Sequence, residues 1–423
     1  MIIITSQGGE SLRRRVVVTG MGIVSPIGKS LKEYENSLKE GKIAIDRISS
    51  FDPSDLAAQI AAEIRDFNPA DYMDKKLARR QDRFVQFALA ATKMAVESSG
   101  VDLEKYKDRT AVLVSSGIGG LITLMREKEV LDSKGPGRVS PFMIPKVLIN
   151  LVAGMISLQY DLRGPNFSPV SACASSLHSV AMGALLIRHG YADVAIVGGA
   201  EASIEKMGIA GFAAMRALST RNDEPKKASR PFDKGRDGFV MGEGSGILVL
   251  EAEEIAKERN AEIMAEIKGI GMNDDAYHIS APRPDGSTMS QVMKLALEDA
   301  QMSSEDVDYV SAHATSTPAG DEVEARAIKM VFGDRAKDIK VNSTKTFMGH
   351  LLGAAGSAEL IAAILQMRGG FVHGLPNLDD PDPETEGLGV ADKEAQDWKI
   401  RNFLKNSFGF GGHNASVVVG WYE

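Results

Sequence analysis

Apolar runs alternate with amphipathic stretches along the first half of the chain. Three runs have the length and composition of buried strands, at residues 16–24, 110–114 and 194–199, and the first of them breaks into a glycine turn. Residues 84–98 and 177–188 repeat apolar positions at helical spacing between these runs. This alternation of strands and helices predicts an α/β architecture.

The same alternation begins again near Glu262 and continues almost to the end of the chain. The predicted strands are residues 263–270, 307–312, 339–342 and 415–421, and the predicted helices are residues 290–300, 319–331 and 351–367. No low-complexity linker separates the two sets, so two α/β halves, residues 1–260 and 261–423, are expected to pack as one body. The acidic stretch 379–392 is rich in proline and glycine and predicts a surface loop.

The composition of the chain mainly excludes some classes of function. With 43% hydrophobic and 25% charged residues, the chain is typical of a soluble globular protein with a large core. A net charge of −8 argues against non-specific nucleic-acid binding by the surface as a whole. No apolar run reaches membrane-spanning length, and the short apolar start of the chain precedes the basic residues 13–15, the wrong order for a secretory signal. We expect a cytoplasmic protein with neither a membrane nor a nucleic acid as partner.

Cys173 is the only cysteine among 423 residues, which rules out an internal disulfide. It lies at a strand-to-helix junction. A thiol at a helix N-terminus gains thiolate character from the helix dipole, and the unpaired amides there offer an oxyanion site. A lone cysteine is more often a small buried apolar residue, so a nucleophile and a structural residue are both open at this point.

Two of the seven histidines, His313 and His350, stand where a strand ends or a helix begins. Ligands bind at the carboxyl ends of strands in an α/β sheet, so these histidines and Cys173 are candidates to converge. Each histidine taken alone is equally compatible with a structural role. The glycine-rich segment 406–414 lacks a phosphate-loop lysine and precedes a strand, which predicts a tight turn or a loop whose amides approach a substrate.

Taken together, these segments resemble the β-ketoacyl-[acyl carrier protein] synthases, condensing enzymes of the thiolase-like superfamily. The resemblance covers nearly the whole chain and is carried by the three segments above and by residues 17–22, 116–120, 162–165, 171–175, 198–201, 217–222, 230–233, 236–240 and 275–278. It implies a thiolase-like α/β fold, in which two similar halves pack as a layered α-β-α-β-α body, and a homodimer. Within the family, the chain is most similar to the type II enzymes, which elongate medium and long acyl chains.

The resemblance also implies a Cys-His-His site and a two-step reaction. Cys173 would take an acyl group from acyl carrier protein, while its own backbone N–H and that of Phe410 stabilise the oxyanion. His313 and His350 would donate hydrogen bonds to the thioester oxygen of malonyl carrier protein, stabilising the enolate left after carbon dioxide departs. The phosphopantetheine arm arrives on the carrier protein, so neither a cofactor nor a metal is expected.

Four supporting residues follow from the resemblance alone. Lys345 matches the family's active-site lysine and is counted with the catalytic residues, and Glu359 matches a nearby carboxylate; electrostatic and positioning roles are expected, with a purely structural ion pair as the alternative. Thr315 and Thr317 match threonines that hydrogen-bond the phosphopantetheine arm. The alternative for Thr317 is to cap the helix that begins near Pro318.

The acyl pocket and the carrier-docking surface are implied in the same way. Phe212 and Phe410 match residues that line the acyl pocket, and Ile118 matches a gate that must move for long chains; apolar side chains there would bind an alkyl tail by burying it. A basic patch that attracts an acidic carrier protein is expected from exposed arginines and lysines. Its members would be Lys75, Lys76, Arg79, Arg80, Arg138 and Arg216.

Two small-for-small departures from the family pattern, Ser171 for threonine and Ala314 for glycine, put the preferred chain length in doubt and not the reaction class. Residues 1–12 exceed what the family needs and are given no role. A thiolase needs a second cysteine, and non-catalytic partner subunits of polyketide synthases lack the nucleophilic one, so Cys173 argues against both. A polyketide-type ketosynthase with the same chemistry stays open as the alternative.

Overall fold

Strands and helices alternate along the chain in this structure, a computed structural model that describes residues 13–423; residues 1–12 lie outside the described part. The strands are β1 (Val16–Val24), β2 (Asp46–Arg47), β3 (Ile60–Ala61), β4 (Thr110–Ser115), β5 (Val194–Glu201), β6 (Gly244–Ala252), β7 (Ala265–Asp274), β8 (Tyr309–Ser311), β9 (Lys340–Asn342), β10 (Phe371–Val372), β11 (Gln396–Asp397), β12 (Asn402–Gly409) and β13 (His413–Gly420). The helices are α1 (Leu31–Glu40), α2 (Lys75–Arg79), α3 (Arg83–Ser99), α4 (Leu121–Lys134), α5 (Met143–Val147), α6 (Asn150–Tyr160), α7 (Ser175–Arg188), α8 (Lys206–Ala214), α9 (Glu253–Glu258), α10 (Ser287–Asp299), α11 (Pro318–Phe332), α12 (Lys345–Met348) and α13 (Ala355–Gly369).

The two halves of the large sheet have the same pattern of strand pairing. The strand order of the sheet is β4-β5-β6-β1-β7-β13-β12-β8-β9. In the first half, β1 pairs antiparallel with β6, β6 pairs antiparallel with β5, and β5 pairs parallel with β4. In the second half, β7, β13, β12 and β8 pair in the same order and with the same directions. At the outer edges, β9 runs parallel to β8, and Asn166 makes a parallel bridge to β4. The predicted fold class, two similar α/β halves in one body, is confirmed.

Helices form the other layers. The apolar helices α7 and α13 pack against each other and against strands of both halves, and their side chains form the central core with β1. On the outer faces, α3 and α6 cover the first half, while α10 and α11 cover the second. Helix α7 comes after the edge segment at Asn166, and α13 comes after the edge strand β9, so Cys173, before α7, and His350, before α13, approach the same region from opposite halves.

The sequence prediction did not include the strands β6 and β12 or the helices α1, α2, α4, α5, α6, α8 and α9. Strand β12 was not predicted, because its polar residues and glycine were assigned to a loop; it pairs with β13, and the glycine-rich segment is the tip of that hairpin. Residues 379–392 form a loop, as predicted. The boundary expected between residues 260 and 261 falls between α9 and β7, and we keep it as a proposal. Among residues 13–423, no helix is both long and apolar enough to cross a membrane.

Candidate active site

Cys173 sits on a tight turn between the edge segment at Asn166 and helix α7. Ala172, just before it, has a φ of 50°, in the left-handed region that favours glycine. Ser175 stabilises this turn, because its hydroxyl donates to the Ala172 carbonyl at 2.7 Å and accepts from the Ser171 N–H at 2.8 Å. The strained turn presents the Cys173 side chain to a cavity.

The glycine-rich hairpin tip touches this turn from the other half. The backbone N–H of Phe410 faces the Cys173 sulfur and lowers the pKa of the thiol. A Cβ atom on Gly409 would lie 2.4 Å from the Ser171 carbonyl oxygen and 3.3 Å from the Cys173 backbone nitrogen. Only glycine allows this approach, so the hairpin brings the amide of Phe410 beside that of Cys173, as two oxyanion donors require.

Gly409→Ala is expected to slow acylation of Cys173 at least about tenfold, since one displaced oxyanion donor is enough for such a loss. The added methyl group overlaps the nucleophile turn and pushes the Phe410 amide away. The rate of the acyl mass increase would measure this. The control is Gly137→Ala, at a glycine with no atom within 4 Å of the added methyl group; equal slowing in both variants would contradict the prediction.

The structure brings both histidines to Cys173. The cysteine sulfur, one ring nitrogen of His313 and one ring nitrogen of His350 lie within 4.8 Å of one another. The two imidazole rings are 5.4 Å apart at 81°, and each also meets a phenylalanine edge-on: His313 meets Phe408, and His350 meets Phe239. These two phenylalanines were missed from the sequence, because nothing in their local pattern separates them from core residues.

Both histidines are neutral at physiological pH. Burial, and next the charge of Lys345, hold the pKa of His313 and of His350 well below the usual 6.5. Within the described chain, His350 has no hydrogen-bond partner for either ring nitrogen, and His313 has none for Nδ1. Neutral rings with free nitrogens in a closed site are suited to donate hydrogen bonds to an oxygen that becomes negative.

The thiolate expected for Cys173 is not the form that this environment favours. Burial raises the pKa of the Cys173 thiol to about 12, and the charge of Glu201 acts in the same direction. Lys345 and the Phe410 N–H lower the pKa but do not offset the burial. The surroundings of Cys173 therefore favour the neutral thiol over the thiolate.

Lys345 lies behind His313 and outside the lining of the cavity. Its ammonium group donates to the His313 carbonyl at 2.5 Å and pairs with Glu359 at 2.6 Å. The other oxygen of Glu359 binds a second buried ammonium, that of Lys405 on β12, at 2.7 Å. Lys405 was missed because the strand that carries it was not predicted. One carboxylate thus holds two buried cations behind the histidines.

The cavity in front of Cys173 measures about 360 Å³ and is lined by Phe212 and Phe410 together with Thr315 and Thr317. The two threonine hydroxyls are 3.0 Å apart. Thr317 occupies the N-cap position of α11, yet its side chain makes no capping hydrogen bond. Its hydroxyl therefore stays available to a ligand in the cavity, and the capping alternative is wrong.

Ile118 is absent from the cavity lining. It is half-buried and belongs to the apolar cluster that also contains Cys173, Phe212 and Leu352. The open cavity ends at this cluster. The role of Ile118 as a gate that long acyl chains displace stays a prediction.

The six basic residues do not form one rim around this cavity. Arg216 is exposed and lines the cavity. The other five are exposed but lie outside the lining: Lys75, Lys76, Arg79, Arg80 and Arg138. Helix α2 carries the first three of them, and the Arg80 guanidinium stacks 5.1 Å from the centre of the Phe142 ring.

Comparisons with known proteins agree with this geometry. Two family models match the chain, Beta-ketoacyl synthase, N-terminal domain, over residues 13–256, and Beta-ketoacyl synthase, C-terminal domain, over residues 264–379. The 3-oxoacyl-[acyl-carrier-protein] synthase 2 of Coxiella burnetii is 48% identical over 408 residues, which are 96% of this chain and 98% of that protein.

Solved structures lead to the same group of proteins. A beta-ketoacyl synthase from Burkholderia phymatum superposes with a TM-score of 0.90 at 35% identity, covering 97% of this chain and 100% of its own. A type II PKS ketosynthase bound to the hexaketide, in complex with its acyl-carrier protein, superposes with a TM-score of 0.89 at 30% identity and the same coverage.

Proposed function

Because the chain belongs to the β-ketoacyl synthase family, we propose that it elongates fatty acyl chains by decarboxylative condensation of malonyl carrier protein with an acyl group held on Cys173. It is an acyltransferase that forms carbon–carbon bonds. The observation that supports this most strongly is the meeting of one thiol and two neutral imidazoles at one end of an apolar cavity. No resident cofactor or metal is needed, since phosphopantetheine arrives on the carrier.

In the first step the Cys173 sulfur attacks the thioester of acyl carrier protein. The thioester oxygen takes the negative charge, and the N–H groups of Cys173 and Phe410 bind it. The carbon–sulfur bond to the carrier then breaks, the thiol proton passes to the departing carrier thiolate, and an acyl-cysteine remains. Because the pKa of the Cys173 thiol is about 12, the thiol keeps its proton until the attack, and the proton can then pass directly to the carrier thiolate.

In the second step malonyl carrier protein enters past Thr315 and Thr317. Cleavage of its carbon–carboxylate bond releases carbon dioxide and leaves an enolate, whose oxygen accepts hydrogen bonds from His313 and His350. The enolate carbon attacks the acyl-cysteine carbonyl and expels the Cys173 thiolate, giving β-ketoacyl carrier protein; the thiolate then takes up a proton from solvent and returns to the thiol. Lys345 and Glu359 act from behind by holding the backbone of His313 and by setting the local charge.

Intact mass tests the first step directly. Wild type mixed with hexadecenoyl carrier protein is expected to gain one acyl mass increment, and Cys173→Ala to gain none, because no other cysteine exists in the chain. If only short acyl chains load, Cys173 is still the nucleophile, but the assignment to enzymes that elongate long chains is wrong. Loading of no acyl thioester by wild type would contradict the proposed function.

The partner that we propose is acyl carrier protein, in its acyl- and malonyl-loaded forms. Support comes from the ketosynthase that was solved with its own acyl-carrier protein. The exposed basic residues of α2 and Arg216 at the cavity supply the positive charge that would attract an acidic carrier and raise the association rate. The cytoplasmic location stays a prediction.

We also propose a homodimer formed along the Asn166 edge of the sheet. Phe167 and Val170 are exposed on that edge segment, and large apolar side chains on the neighbouring helices are exposed as well. These are Leu124, Leu131, Phe142, Ile144, Leu148 and Leu158. An open sheet edge flanked by exposed apolar residues is typical of a surface that another chain covers.

A polyketide-type ketosynthase remains the second candidate, since it has the same fold and chemistry. The type II PKS ketosynthase is 30% identical to this chain, against 48% for the 3-oxoacyl-[acyl-carrier-protein] synthase 2 of Coxiella burnetii. Fatty acyl elongation is therefore the better supported of the two.

A further inference from the structure

Glu201 is a buried carboxylate to which neither the sequence pattern nor the reaction assigns a role. It ends β5, and its side chain is completely buried. Within residues 13–423 no ion pair joins it to a cation; what favours its charged form is hydrogen bonding. Burial nevertheless raises the pKa of Glu201. Keeping a charged carboxylate at this buried position costs free energy, which its hydrogen bonds must offset.

Most of these contacts come from the turn that carries Ile118. The Ser116 hydroxyl donates to Oε1 of Glu201 at 2.8 Å, the Gly117 N–H to Oε2 at 2.7 Å, and the Ile118 N–H to Oε1 at 3.4 Å. The Ser116 hydroxyl also accepts from the Gly119 N–H at 2.9 Å, closing the turn. One carboxylate therefore holds the turn through three consecutive residues.

The same carboxylate reaches the turn that follows His350. The Gly353 N–H donates to Oε2 of Glu201 at 3.0 Å. A Cβ atom on Gly353 would lie 2.1 Å from the Gly117 nitrogen, so the two turns pack backbone against backbone with no room for a side chain. Leu352 between them belongs to the apolar cluster of Ile118, so the wall at the end of the cavity is built on Glu201.

Ile118 cannot move far without breaking hydrogen bonds to this carboxylate. We propose that Glu201 is a positioning residue that sets how readily the Ile118 turn yields to a long acyl chain, and thereby sets the chain-length limit. The inference rests on the proposed function, in which an acyl chain attached to Cys173 has to pass Ile118. Glu201 itself touches no substrate; it acts through the turn.

Two serines give a matched test. Ser116 and Ser203 both donate to Oε1 of Glu201, at 2.8 and 2.9 Å, and only Ser116 lies on the Ile118 turn. The readout is the ratio of initial loading rates for hexadecenoyl and octanoyl carrier protein, followed by intact mass. Ser116→Ala is expected to raise this ratio about three- to tenfold, the effect of losing one hydrogen bond of ordinary net strength, while Ser203→Ala changes it less than about twofold.

Glu201→Gln is expected to raise the ratio further, because an amide offers one acceptor oxygen where the carboxylate has two. Glu251→Gln is its control: Glu251 is a buried carboxylate on β6 that pairs with Arg259, so this variant lowers stability without changing the ratio. If Glu201→Gln does not fold, the serine pair decides.

A wild-type ratio in Ser116→Ala, or an equal rise in Ser203→Ala, would overturn the proposal. These results differ from those expected if the proposed function itself is wrong, because wild type would then load neither the hexadecenoyl nor the octanoyl chain.

Discussion

Replacing His350 by alanine is expected to leave the acylation of Cys173 within about threefold of wild type and to lower condensation by about 10²–10³-fold, the usual effect of removing one donor to a developing oxyanion. The reason lies in the geometry. In the proposed reaction, the amides of Cys173 and Phe410 bind the first oxyanion, whereas the second is bound by the two imidazoles. One nitrogen of each ring lies near the Cys173 sulfur, and three of the four ring nitrogens have no hydrogen-bond partner in the described chain. The variant should therefore accumulate as acyl-enzyme.

The measurement combines intact mass with the release of carbon dioxide from malonyl carrier protein. His350→Gln is expected to recover part of the condensation rate, since its amide supplies an N–H donor, and a merely structural role would not predict this rescue. His373→Gln is the control, because His373 is a buried histidine held by the Gly374 carbonyl, away from the cavity. Equal loss of acylation and condensation in His350→Ala would contradict the division of roles.

The alternation of apolar and amphipathic stretches was enough to predict the α/β architecture, because strand and helix periods are local properties. The convergence of Cys173 with the two histidines followed from the ends of strands, since a sheet of this kind gathers them at one edge. Strand β12 escaped prediction because its residues Asn406, Ser407 and Gly409 are individually typical of turns. Pairing with β13 overrides that preference.

The contacts that could not be predicted from the sequence join residues that are far apart along the chain and meet only in the folded protein. Lys405 and Glu359 are 46 positions apart and meet only in the folded core. Glu201 reaches Gly353 across 152 positions. The neutral thiol that the surroundings of Cys173 favour has a related explanation: the helix N-terminus is visible in a sequence, but the burial that raises the pKa of the thiol is not.

Glu359→Gln is expected to lower the free energy of unfolding by about 3–5 kcal/mol, the cost of breaking a buried ion pair by removing one partner. Here one carboxylate serves two ammonium groups, of Lys345 and Lys405, which are 1% and 0% exposed. The substitution leaves both without a counter-charge. The same loss frees the Lys345 ammonium from one of its two anchors, so the His313 backbone is held less firmly and condensation should fall too.

Urea unfolding of the single and double variants tests this argument. Adding Lys405→Met to Glu359→Gln is expected to recover about 1–2 kcal/mol, because one unpaired cation is replaced by an apolar chain of similar length. Asp132→Asn is the control: it breaks the exposed pair with Lys128 and should cost less than about 1 kcal/mol. Unchanged stability of Glu359→Gln would mean that water or a bound ion compensates the two lysines. A stable Glu359→Gln variant with normal acylation and slow condensation would instead assign Glu359 to the histidine step alone.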